Sequence, residues 1–174
     1  MRRLFRRAIG RNDAALSSYT DLVWFCDCDY LFGEGCIDGL WKSWNELDQF
    51  ASMMFPEKFW TMKTRELGDE LIAQNLQGVV GADPSLFTQV WSKRAFGGLQ
   101  IVPGSLARER GYLDGHRKYQ TPLPRPFANF HDDVAYRKSC LRIGPIVPLE
   151  VPNLYRLRHS KTTYQGQQHG TVSD

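Results

Sequence analysis

The sequence predicts a mainly α protein: a small irregular helical bundle followed by a long extended, proline-rich C-terminal arm. Three observations predict it. Apolar residues in the front of the chain recur at three- and four-residue spacing, the repeat of an amphipathic helix. The five tryptophans (Trp24, Trp41, Trp44, Trp60 and Trp91) all lie in that part and supply large core-building side chains. Six of the nine prolines fall between Pro122 and Pro152, where each fixes φ and removes a donor, so helices stop and the chain runs extended. At 174 residues the chain is long enough for one domain with a real core. The expected division is a basic amphipathic N-terminal segment over 1–11, a helical body over 12–115 and an extended partner-binding arm over 116–174.

Asn12 or Asp13 is placed to cap a first helix with Leu16, Tyr19, Leu22, Val23 and Cys26 on its apolar face, ended by Gly33 and Gly35. Ile37, Leu40, Trp41, Trp44, Leu47, Phe50, Ala51 and Met54 mark a second, longer helix, with Lys42, Asn45, Glu46 and Gln49 opposite. Pro56 suits the first turn of a third helix through Phe59, Trp60, Met62, Leu67, Leu71, Ile72 and Leu76, and Gly68 weakens its middle. Asp83-Pro84 is a cap and first turn for a fourth, bearing Leu86, Phe87, Val90, Trp91 and Phe96 before Gly97-Gly98. Leu99–Val102 reads as a short strand and Ser105–Arg110 as one or two helical turns. TPLPRPF, from Thr121, favours a polyproline-like path. Asp132 is placed to cap a short helix through Leu141, and IGPIVPLEVP is extended again.

Charge is segregated along the chain. Residues 1–11 hold five arginines and no acid, residues 12–85 carry a net charge of −9, and residues 86–174 carry +7. The first block, MRRLFRRAIGR, sets Leu4, Phe5, Ala8 and Ile9 against four arginines on a helix, the composition of a mitochondrial import segment. A basic arm for RNA or anionic lipid is the competing reading. No apolar run approaches the roughly 18–20 residues of a membrane span, so a peripheral rather than transmembrane protein is expected. The last fourteen residues contain only Tyr164 and Val172 as sizeable apolar groups. Ordering them costs on the order of 15–25 kcal/mol against about 2–3 kcal/mol returned by each of those two side chains. A partner surface would have to hold that tail.

Chemistry-bearing clusters are sparse. Cys26, Cys28 and Cys36 form a C-x-C-x7-C run that offers three thiolates to zinc, with His131 or Cys140 as a distant fourth, or one disulfide. The paired C-x-x-C spacing of a zinc ribbon is missing, and small thiols filling a turn explain the same letters. Asp27, Asp29, Glu34 and Asp38 suggest a calcium loop, but the sixth position from Asp27 is Phe32 where the turn requires glycine. His131-Asp132-Asp133 has the makings of a general base, and equally of a helix cap; Glu66, Asp69 and Glu70 read as a solvated helix face. GxGxxG, HExxH, GxSxG and P-loop patterns are absent from the sequence.

The functional expectation is a non-catalytic accessory subunit of a large multiprotein complex, mitochondrial (matrix side or inner-membrane peripheral), in a respiratory-chain or ATP-synthase assembly. It requires no cofactor. Its arm would meet other protein subunits through Phe127, Phe130, Ile146, Val147, Leu149, Val151, Leu154, Tyr155, Arg156 and Arg158. The alternatives are a mitochondrial ribosomal protein touching rRNA through Arg117, Lys118, Tyr119, Arg137, Lys138, Arg156, Arg158 and Lys161, a zinc- or disulfide-stabilised module, and a viral structural protein.

Overall fold

The computed structural model describes residues 6–73, 83–122 and 131–160. These form six helices and two mixed four-stranded sheets, an α/β fold rather than the helical bundle expected. The helices are α1 (Arg7–Leu16), α2 (Cys36–Asn45), α3 (Arg65–Ala73), α4 (Gly104–Arg110), α5 (Arg117–Gln120) and α6 (Asp132–Leu141). The strands are β1 (Leu22–Phe25), β2 (Tyr30–Phe32), β3 (Met53–Pro56), β4 (Lys58–Met62), β5 (Phe87–Trp91), β6 (Gln100–Pro103), β7 (Ile146–Leu149) and β8 (Leu154–Arg156). One sheet has the order β1-β6-β3-β7 and the other β2-β8-β4-β5.

The strands behave as four bent ribbons. β1 leads into β2, β3 into β4, β5 into β6 and β7 into β8, each ribbon passing from one sheet to the other. Taken ribbon by ribbon, the neighbours close on themselves: β1 pairs with β6, β6 with β3, β3 with β7, β8 with β4 and β8 with β2. The β3–β4 ribbon turns at Glu57 alone without losing its bonds. Glu57 N donates to Leu149 O at 2.9 Å, and its carbonyl accepts from Ser92 N at 2.7 Å. Such closure leaves fewer free edges for pairing with other chains.

Local chemistry explains why strands replace the expected helices. β1 (LVWF), β4 (KFWTM) and β5 (FTQVW) are short runs of aromatic and β-branched residues, which suit a pleated surface. In runs this short, apolar spacing cannot separate a strand from a buried helix. Pro56 ends β3 rather than opening a helix, and all four residues of that strand are buried. Met53 and Met54 have no exposed surface, as expected of a central strand covered on both faces. Pro148 stands in β7, the edge strand of its sheet, where a missing N–H breaks no ladder.

The proline-rich rear half is, in its described part, woven into the core instead of running free as an arm. β7 pairs in parallel with β3, Met53 facing Ile146 and Pro56 facing Leu149, and β8 pairs in parallel with β4 and antiparallel to β2. The TPLPRPF segment beyond Pro122, together with Phe127, Phe130 and residues 161–174, lies outside the described residues.

α1 and α4 pack together beside the β1–β6 edge, and α6 lies over β3. Phe25, Tyr112 and Tyr136 join these layers, with ring centroids 4.8 Å (Phe25–Tyr112), 5.4 Å (Phe25–Tyr136) and 4.2 Å (Tyr112–Tyr136) apart. A smaller cluster of Met62, Phe87 and Tyr155 is covered by Leu67 and Leu71 of α3. Gly68 divides nothing: α3 is one helix, and a Cβ there would overlap the carbonyl oxygen of Arg158. The glycine lets the chain after β8 cross the helix at backbone distance.

Candidate functional site

Most of the residues expected to meet a partner are used internally. Leu149, Val151, Leu154 and Tyr155 are buried in the chain's own core, and Ile146 and Val147 pack half-buried against it. Arg156 Nε donates to Asp29 Oδ2 at 3.0 Å, which ties β8 to the turn before β2. Arg158 lies just beyond β8 on the surface.

The N-terminal arginines are also committed within the described residues. Arg6 donates to the carbonyls of Tyr119 and Lys118. Arg7 bridges Asp27, Asp132 and Asp133, and Arg11 Nη2 reaches Asp27 Oδ1 at 2.8 Å. Ala8 and Ile9, on the apolar side of the same segment, are buried. The amphipathic pattern of MRRLFRRAIGR is therefore spent, from Arg6 onward, on seating α1.

That network accounts for two of the clusters read from sequence. Asp132 and Asp133 are held by Arg7, and Asp133 Oδ2 also accepts from Gly97 N at 3.1 Å, so the His131-Asp132-Asp133 run places its carboxylates in a clasp. Asp27 and Asp29 are each engaged by arginine. The cysteines do not converge: Cys26 is half-buried, Cys28 exposed and Cys36 buried at the start of α2. Among the described residues no three His, Cys, Asp or Glu side chains form a group able to hold a metal. Burial, reinforced by Asp27 and Asp29, pushes the Cys26 thiol up to about 12, the direction opposite to a ligating thiolate.

Two surface features remain, and sequence reasoning placed neither. The first is the outer face of α2. Cys36 and Leu40 point inward, whereas Ile37 and Trp41 are 56% and 47% exposed. Trp44, at the next turn, packs half-buried against the core, its ring 5.0 Å from that of Trp41 and edge-on to it. Ile37 and Trp41, at i, i+4 spacing, form one exposed apolar patch backed by Trp44. The signal is present in the sequence, because Cys36, Ile37, Leu40, Trp41 and Trp44 cover more of the circumference than one buried face requires.

The second feature is a cleft of about 720 Å³ at the end of the β8–β4 pair, lined by Asp29, Thr61, Arg65, Arg156, Leu157, Arg158, His159 and Ser160. Its walls follow from local bonds. Leu157 N donates to Asp29 O at 2.7 Å, and Arg158 Nη1 to Lys63 O at 3.2 Å. Ser160 N and Oγ both donate to Asp69 of α3, at 2.8 and 2.6 Å. These two bonds hold the Asp69 carboxyl below its ordinary value. Asp29 Oδ1 and the Tyr30 hydroxyl are buried and have no hydrogen-bond partner among the described residues. Burial drives the Tyr30 phenol far above its ordinary value although Arg156 lies over its ring, 5.7 Å from the centroid. The cleft unites Arg156 and Arg158 with Arg65 from the acidic front half of the chain, a juxtaposition made only by tertiary structure.

No protein-family model, no curated protein and no solved structure matches this chain.

Proposed function

We propose that the chain is a non-catalytic subunit of a multiprotein assembly and that it docks on a partner protein through the outer face of α2. The observation that carries this reading is the exposed pair Ile37 and Trp41, with Trp44 half-buried behind them. A half-exposed tryptophan on a rigid helix, here Trp41, is the kind of anchor that dominates protein interfaces, because a large apolar area is desolvated at small cost in rotamer freedom. A partner of matching chemistry is a protein with an apolar groove wide enough for one helix face. Phe50, 58% exposed and lying against Gly144, extends the apolar character beyond the end of α2. In this proposal the helix, rather than a C-terminal arm, makes the contacts with the partner.

Support for a mitochondrial address remains the composition of the first eleven residues. A respiratory-chain or ATP-synthase assembly is accordingly the first place to look.

Native electrophoresis of cell extract, with the chain detected at its own expression level, tests the proposal. It should migrate in a complex larger than itself, and Trp41→Ala combined with Ile37→Asp should release it as a folded monomer. A chain that migrates as a monomer in unmodified cells, or a double variant that stays in the complex, overturns the docking face.

A further inference from the structure

Arg65, Arg156 and Arg158 converge on one cleft although they come from the start of α3, the end of β8 and the segment after it. Three guanidinium groups face a single lining carboxylate, Asp29, with Asp69 at the rim. Bringing like charges together costs free energy unless an anion offsets it. Arg65 is near enough to Glu66 and Asp69 for its charge to favour their carboxylates but gives neither a hydrogen bond, and Arg158 uses one nitrogen on the Lys63 carbonyl. Arg156 uses Nε on Asp29, which leaves both of its Nη groups without a hydrogen bond among the described residues. The Thr61 hydroxyl, half-buried in the same wall, has none either.

We propose that this cleft binds the phosphate group of a small phosphorylated molecule. Guanidinium forks match the spacing of phosphate oxygens and pair with them bidentately. Arg156 is held in place before any anion arrives, because Asp29 fixes its Nε at 3.0 Å and the Tyr30 ring supports its face. A donor oriented in advance loses less freedom on binding. Asp29 and Tyr30 thus act as positioning residues for Arg156. The volume of about 720 Å³ suits a compact ligand, since small-molecule pockets run from roughly 300 to 1,000 Å³. A nucleic-acid strand instead calls for a charged track longer than one cleft.

The test is calorimetric titration of the full chain, at low salt, with pyrophosphate and separately with inorganic phosphate, and a competition arm with a single-stranded oligonucleotide. Saturable binding with a dissociation constant of about 1 mM or tighter is expected for pyrophosphate. Arg65→Ala and Arg158→Ala should each weaken it about tenfold, the loss of one charge-assisted contact. Arg156→Lys should weaken it by a similar factor despite keeping the charge, because an ammonium cannot hold Asp29 and fork an anion together. Thermal melts of the three variants establish that each remains folded. The proposal is overturned if the folded chain takes up neither anion, or if the Arg65→Ala/Arg158→Ala double variant binds as well as the parent. It is equally overturned if the oligonucleotide binds and pyrophosphate does not displace it. Because α2 takes no part, none of these results bears on the docking face.

Discussion

The guanidinium of Arg7 grips the carboxylate of Asp132 across 125 residues of sequence, with Nε 3.1 Å from Oδ2 and Nη2 3.2 Å from Oδ1. The pair joins the first turns of α1 and α6. The Asp132 side chain is 9% exposed, whereas that of Arg7 is 46% exposed, so the carboxylate is the partner that suffers when the bond is lost. Arg7→Ala strands that carboxylate beside Asp133 and should cost about 1–3 kcal/mol, with the lower part of the range favoured by solvent screening of the arginine. Asp132→Asn should cost about as much. A double-mutant cycle in urea should return a coupling of roughly 1 kcal/mol, and strictly additive losses would show that the two groups stabilise the fold separately.

Asn12 carries the second prediction. It is buried near the middle of α1, where Nδ2 donates to Asp114 Oδ1 at 3.1 Å and Oδ1 accepts from Tyr112 N at 2.8 Å. The side chain thus satisfies a buried backbone donor in the turn after α4. Asn12→Ala leaves that N–H unpaired and should destabilise by about 1–3 kcal/mol. Asn12→Asp keeps the shape but sets a second carboxylate against Asp114, and should be destabilised at neutral pH and recover toward the parent in acid. Urea midpoints of both variants at two pH values check this; equal losses for Asn12→Asp at both would exclude carboxylate repulsion.

Buried thiols and phenols make the fold sensitive to base. Burial pushes Cys36 up to about 11 and Cys140 up to about 12 from an ordinary value of 9.0, and raises Tyr112 and Tyr136 well beyond the usual phenol range. The folded state therefore keeps protons that the unfolded chain releases above pH 9.0. The unfolded state then binds fewer protons, and stability falls as pH rises. It should be undiminished by these groups below pH 9.0 and decline steadily toward about 11–12. Urea midpoints through that window should move down, and a flat profile would contradict burial of these side chains. In the native state Cys28, which is exposed, should react with a thiol reagent well before Cys36 and Cys140.

What was legible in the sequence followed local chemistry. Asp83 accepts from Ser85 N at 2.9 Å with Pro84 in the first turn, as its cap-and-proline pair implied, although only a 3-10 turn follows. The short strand expected at Leu99–Val102 is β6, and the helices expected over Ser105–Arg110 and from Asp132 to Leu141 are α4 and α6. Strands β1, β4 and β5 were not legible, because their partners lie on distant ribbons and a four- or five-residue apolar run carries no period of its own. α2 stops at Asn45 with no glycine or proline to announce it, and Met53 and Met54, the second of them expected in the same helix, enter β3. The cleft was hidden for a related reason. Arg65 sits in the acidic front block, and only the crossing at Gly68 brings it to Arg156 and Arg158.

Two helical glycines make opposite predictions. Gly10 is exposed within α1, and a Cβ there would meet no atom within 4 Å. Gly10→Ala removes the entropy cost of glycine in a helix interior without a clash and should stabilise by about 0.5–1 kcal/mol. Gly104 opens α4 and is buried; its N–H donates to Asp21 O at 2.6 Å, and a Cβ would overlap the carbonyl oxygen of Thr20. The same methyl must there push α4 away from the chain entering β1, at a cost of about 1–3 kcal/mol. Thermal melts should move up for Gly10→Ala and down for Gly104→Ala. If both rise, helix propensity alone governs these positions, and the close approach of α4 to Thr20 and Asp21 is not what fixes the edge of the β1–β6 sheet.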